Sequence, residues 1–140
     1  MTGILAAFEQ LVRSRHSVRT FAERPVEREL VDRLLLAACQ APSAHNRQPW
    51  RFAVLTSSEA KEGLAQAMGE RLEADRLADG DDPRPVGADV ARSRARIAGA
   101  PVAVLVCLTV EQMDKYPDEK RSRAEYLMAV QGAAMAGENL

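Results

Sequence analysis

The run VAVLVCLTV (102–110) is apolar at almost every position, and it restricts the possible folds more than any other feature of this chain. A strand that alternates apolar and polar residues buries one face. A strand apolar throughout is ordinarily covered on both faces and central in a sheet. Such a strand needs a neighbour on each side, yet only one other segment, RFAVLT (51–56), reads convincingly as a strand. Two strands alone do not make a stable sheet. The missing neighbours are expected either from a second chain or, the favoured reading, from a continuation of this one. The closing stretch MAVQGAAMAGENL agrees, with no Gly–Pro stop and no Lys or Arg in its last turn. The final helix, opening near Asp118, is expected to be still running at Leu140.

The rest of the chain reads as helices and turns. Ile4, Leu5, Phe8, Leu11 and Val12 share one face of a helix from about Ile4 to Ser14. Pro25 is expected to start a second helix that Pro42 ends, since proline is tolerated at the first helical position. Leu30, Val31, Leu34, Leu35 and Ala38 form its buried stripe, with Glu27, Arg28, Asp32 and Arg33 on the solvated side. Thr56-Ser57-Ser58-Glu59 has capping-box spacing and opens a helix to about Leu77. ADGDDPRP (78–85) reads as a surface loop, followed by a shorter helix from Gly87 to Ile97 and a stop at Gly99–Pro101.

Composition excludes several classes. Apolar residues are 46% and charged residues 28% of 140, a globular balance rather than a disordered one. A net charge of −1 provides no field for nucleic acid or an acidic membrane. Aromatics at 4% argue against a base-stacking single-strand binder. No apolar run approaches the roughly 18 residues of a membrane span. The opening MTGILAAFEQLVR has Glu9 within its apolar part and lacks a small-residue cleavage site, so a cytoplasmic location is expected. Cys39 and Cys107 lie far apart in apolar settings and are expected to be buried free thiols. No Cys/His cluster suggests a metal, and no Ser-His-Asp pattern, GxxxxGK[ST] or GxGxxG is present. Lone carboxylates such as Glu125 and Glu138 read as helix surface.

Two short segments carry the chemistry. In RSRHSVR (13–19), Arg13, Arg15, His16 and Arg19 occur without an acidic residue between Glu9 and Glu23. Arg15, Ser17 and Arg19 alternate, so in an extended conformation they leave one face together. Two guanidinium forks and a hydroxyl suit a phosphate or an oxygen-rich anionic ring. A solvated basic patch at a helix end is the competing reading. In APSAHNRQPWRF (41–52), Asn46 and Gln48 each offer a donor and an acceptor, as recognition of a heterocycle edge requires. Ser43 can donate, and Pro42 and Pro49 restrict the backbone on either side. Trp50 reads as a core anchor at the strand start rather than a stacking platform. His45 has no companion ligands for a metal.

RHSVRTF, followed about twenty residues later by APSAHNRQPWRF and an apolar strand, resembles the nitroreductase family of FMN-dependent flavoproteins. The family carries R-x-S-x-R after its first helix and PS-x-x-N-x-QPW before its first strand. AEYLMAVQGAAMAGENL also resembles the family's long core helix. The resemblance implies an α+β fold, with a central antiparallel or mixed sheet wrapped by helices in a domain-swapped homodimer. FMN lies at each subunit interface, and a small-molecule acceptor binds there. Arg15, His16, Ser17 and Arg19 match the segment that holds the FMN phosphate, ribityl chain and pyrimidine edge. Pro42, Ser43, Ala44 and Asn46 match the segment that reaches the flavin from the other subunit. Gln48 completes the cofactor-binding set while, like Trp50, mostly setting the loop's shape.

The activity implied is electron transfer from NAD(P)H to a nitroaromatic, quinone or enone by a ping-pong mechanism, with no protein nucleophile, base or metal. Alternatives are a non-catalytic flavin-binding or interaction module, or a relative that fragments flavin, dehalogenates or serves deazaflavin biosynthesis. Family members continue past the long helix with a Gly-rich strand-and-turn and a basic C-terminal segment. Residues 1–140 are therefore expected to form a single nitroreductase-like domain, incomplete at its C-terminus. The 78–99 segment is expected to cover the active site.

Overall fold

The computed structural model describes residues 2–140. Helix α1 (Thr2–Ser14) leads through an irregular arm to α2 (Arg28–Ala38), and a 3-10 turn (Ala44–Asn46) precedes strand β1 (Trp50–Leu55). Helices α3 (Ser58–Ala78) and α4 (Pro83–Gly99) pack as a hairpin and connect β1 to β2 (Ala103–Leu108). Helix α5 (Glu119–Glu138) closes the described chain. The two strands pair antiparallel, with Trp50 opposite Leu108 and Leu55 opposite Ala103. This is an α+β architecture in which α5 lies on both strands and on α2.

The core sits where α5 crosses the start of β1. Trp50 is 4% exposed and packs with Ala41 and Ala136, flanked by Cys39, Phe52 and Ala133. Its role as a core anchor is thus realised. Glu125, Ala129, Gly132 and Ala136 form the buried face of α5. The small residues Ala129, Gly132 and Ala136 let the helix approach closely: a Cβ on Gly132 would lie 3.3 Å from Ser43 Cβ and 3.4 Å from Pro49 Cγ. Between α3 and α4, Lys61 is buried and its Nζ donates to the Ala100 carbonyl at 2.6 Å. That bond ties the start of the hairpin to its end.

Several local readings shift. Helix α2 begins at Arg28, three residues after Pro25, because proline restricts its own φ without imposing helical ψ; the Glu27 carbonyl accepts the first-turn N–H groups instead. Of its expected stripe, Val31 and Ala38 are buried, whereas Leu30 and Leu34 stay exposed. The cap of α3 is Ser57 rather than Thr56, its Oγ accepting from Ala60 N at 3.2 Å. The 78–85 loop is shorter than expected, since Asp82 caps a helix that starts at Pro83, where a missing N–H costs nothing. Helix α5 ends at Glu138 with Asn139 as its C-cap, not at Leu140. Within the described chain β2 has only β1 beside it, so Val106 and Cys107 are exposed and the two-faced cover expected for it is absent. Cys39 is half-buried, so neither thiol is fully buried.

The arm is the other unfinished surface. Every residue from Gly3 to Pro25 is exposed. The apolar face of α1 forms as expected but meets solvent, with Ile4 81%, Phe8 61% and Leu11 68% exposed. Leu127 and Tyr126 on α5 are similarly open. A stripe of this kind on a helix normally faces a packed partner.

Candidate functional site

The segment between Pro42 and Pro49 is a left-handed turn. Arg47 N donates to the Ala44 carbonyl at 3.0 Å, and His45 and Asn46 between them have φ of 49° and 53°. Gln48 follows with φ 48°. Three non-glycine residues in this region cost on the order of 1 kcal/mol each. Asn and His are among the residues that tolerate it best, which explains part of this composition. Ser43 serves the turn as an acceptor rather than a donor: Gln48 N donates to its Oγ at 3.0 Å.

Side chains then fasten the turn to the scaffold. Arg51 Nη1 donates to the Gln48 carbonyl at 3.2 Å and to the Trp50 carbonyl at 2.7 Å. Arg47 Nη2 donates to Asp114 Oδ1 at 2.7 Å, across 67 residues of sequence. Arg47 Nε is buried without a hydrogen-bond partner among the described residues. Asn46 and Gln48, both exposed, line a polar cleft of about 580 Å³ with Arg47, Arg51 and Gln112. Pro42 is exposed, while Ser43 and Ala44 are half-buried against α5.

The second segment lies elsewhere. Residues 15–20 are extended and exposed. His16 Nδ1 is 2.9 Å from the Ser14 carbonyl, which places its proton on that nitrogen. Arg19 makes a long 3.5 Å contact to the Ser17 carbonyl. Arg19 lines a cleft of about 540 Å³ against α4, with Thr20, Phe21, Glu23, Arg92 and Arg96. Arg92 is paired with Asp89, which leaves Arg19 and Arg96 against Glu23 and a modest positive excess, and Phe21, Ala95 and Gly99 give the cleft an apolar wall. The two clefts share no residue.

Arg92 and Arg96 are not among the sequence candidates, although their spacing of four on one helix face is visible there. Glu125, expected on the helix surface, is instead buried: it is 3% exposed, and its Oε1 accepts from Asp114 N at 3.1 Å. The signal is its place four residues before Ala129 on the small-residue stripe. The pairing of Arg47 with Asp114 leaves no local trace.

The family model of the nitroreductase family matches residues 12–140. This chain belongs to the nitroreductase family. Among characterised relatives, a nitrobenzene nitroreductase of Ectopseudomonas oleovorans is 42% identical over 66 residues, 47% of this chain and 29% of that protein. Among solved structures, a BluB-like flavoprotein of Clostridium difficile 630 superposes with a TM-score of 0.67 at 23% identity, over 94% of this chain and 66% of that one. The NADPH:FMN oxidoreductase of Vibrio harveyi complexed with NAD+ gives 0.61 at 16%, over 94% and 48%. These likenesses establish a nitroreductase-like fold. The matched stretches span 27% to 44% of the curated relatives' lengths. No described helix is long and apolar enough to cross a membrane.

Proposed function

We propose that this chain contributes to an FMN-dependent oxidoreductase that passes electrons from NAD(P)H to a small electron-poor acceptor, with the flavin held between two copies. Residues 1–140 form one nitroreductase-like unit in this reading. One observation carries it: the electropositive Arg19 cleft and the amide-bearing turn line separate clefts of one protomer, each suited to a different part of one ligand. The exposed apolar face of α1, on the same arm as Arg19, is what a second copy would cover.

The residues fit the group. FMN combines a phosphate, a hydroxylated chain and a heterocycle with alternating donors and acceptors. Arg15, Arg19 and Arg96 supply positive charge, with His16 and Ser17 on the arm. Asn46 and Gln48 supply paired donor and acceptor groups in the cleft, with Pro42, Ser43 and Ala44 preceding them in the same loop. When bound, flavin supplies the two-electron chemistry that links nicotinamide to acceptor. The chain's own residues orient and polarise. Positive charge at Arg19 and Arg96 favours negative charge on whatever they hold, and so favours electron uptake there. Phe21 and Ala95 offer an apolar wall on one side. No side chain is required as nucleophile or base.

The decisive experiment is complementation. Arg19→Glu and Asn46→Asp are each expected to abolish the visible flavin absorbance retained after gel filtration. Because each would damage a different half of a shared site, mixing the two refolded variants restores about a quarter of the sites, all in heterodimers. Wild-type retention in Arg19→Glu, or no recovery on mixing, would overturn the reading.

A further inference from the structure

The left-handed turn is held in place by something other than itself. Its internal hydrogen bonds, from Asn46 N to the Ser43 carbonyl and from Arg47 N to the Ala44 carbonyl, are both 3.0 Å and purely local. They close the turn but do not aim it. Aiming comes from Arg47, which lies between the positive-φ residues Asn46 and Gln48. Its guanidinium leaves the turn and reaches Asp114 in the connection after β2, at 2.7 Å. Asp114 in turn has its backbone N–H seated on Glu125 Oε1 at 3.1 Å. Glu125 is 3% exposed and anchored in the first half of α5, the helix that also packs on Ser43 and Pro49 through Gly132.

We propose that Glu125 and Asp114 are positioning residues that act through Arg47 to set the orientation of the Ala44–Gln48 turn. A buried carboxylate costs several kcal/mol in general unless it is satisfied. Here it accepts from the backbone of Asp114, whose carboxylate holds Arg47 of the turn, while Arg51 separately holds the Gln48 carbonyl. The bond holds Asp114's main chain, the main chain aims its carboxylate, and the carboxylate draws Arg47 away from solvent. Thr109 N, donating to the Pro49 carbonyl at 2.8 Å, fastens the far end of the same loop. The turn is thereby tied at one end to the end of β2 and, through Asp114, to α5. For binding, this rests on the reading that the turn touches flavin; for the turn's geometry it does not.

The test uses amide hydrogen exchange on the chain without flavin, alongside FMN titration. Glu125→Leu and Arg47→Gln should each speed exchange at the Asn46–Gln48 amides at least tenfold, leaving the α3–α4 hairpin amides unchanged. Glu125→Gln keeps an acceptor oxygen and should exchange like wild type. Arg47→Gln alters only a half-exposed side chain, so it remains informative should Glu125→Leu fail to fold. Uniformly faster exchange across the molecule, or unchanged turn amides in Arg47→Gln, would overturn the proposal. A loosened turn with undiminished FMN affinity would leave the relay standing and remove its link to flavin. A turn unchanged in exchange with weakened FMN binding would do the reverse.

Discussion

Replacing Gly132 by valine tests the close approach of α5 to the turn. A Cβ at this position would already lie 3.3 Å from Ser43 Cβ and 3.4 Å from Pro49 Cγ. Valine adds two methyl groups beyond it, against a turn that has three residues at positive φ and little freedom to retreat. Overpacking of this kind costs about 1–3 kcal/mol. Against it stands the better helix propensity of valine over glycine, worth about 0.4 kcal/mol. The net expectation is a loss of about 0.6–2.6 kcal/mol. Gly63, inside α3 with nothing within 4 Å of where a Cβ would stand, is the internal control. Gly63→Ala should gain about 0.5–1 kcal/mol through propensity alone. Urea unfolding at one protein concentration measures both, with unchanged slopes if the denatured state is unaffected. The emission of Trp50, next to Pro49, should shift in Gly132→Val and not in Gly63→Ala. Stability at or above wild type for Gly132→Val would mean that α5 and the turn are not in contact, and the account of the site would fail with it.

Other expectations follow from single contacts. Lys61→Met removes the donor to the Ala100 carbonyl and should cost about 1–3 kcal/mol in the same urea assay, the penalty of a buried acceptor losing its partner. The Asp118 carboxyl, which caps α5, is held below its ordinary range by the Arg121 backbone N–H and then by the Arg121 guanidinium. Its contribution is therefore complete above the unfolded aspartate value of about 3.9 and disappears as the pH falls through the lower folded value. Helix content followed by circular dichroism should decline in that acid window, and Asp118→Asn, which keeps a capping oxygen, should flatten the decline. Phe8→Asp with Leu11→Asp places charge on the exposed face of α1; sedimentation should show self-association weakened by about tenfold or more, and unchanged mass would remove α1 from the interface.

What the sequence determined by itself was everything that depends on short-range period and on local backbone chemistry. The amphipathic face of α1, the two strands, and Trp50 as the plug beneath the turn follow from spacings of two or of three to four residues. The motif pair also led to the right family, because its residues lie close together along the chain. Boundaries were less legible: Pro25 read as a helix start and Pro83 as part of a loop, yet it is Pro83 that opens a helix, since Asp82 is there to accept the Arg84 N–H. The tertiary structure alone decided which distant groups meet. Arg47 finds Asp114 across 67 residues, Arg92 and Arg96 join the cleft of Arg19, and Glu125 turns inward beneath Asp114. Periodicity cannot encode such pairings, because each depends on how three or more elements cross in space. Local pattern sets which face of a helix is buried; only the packed chain determines what waits on the other side.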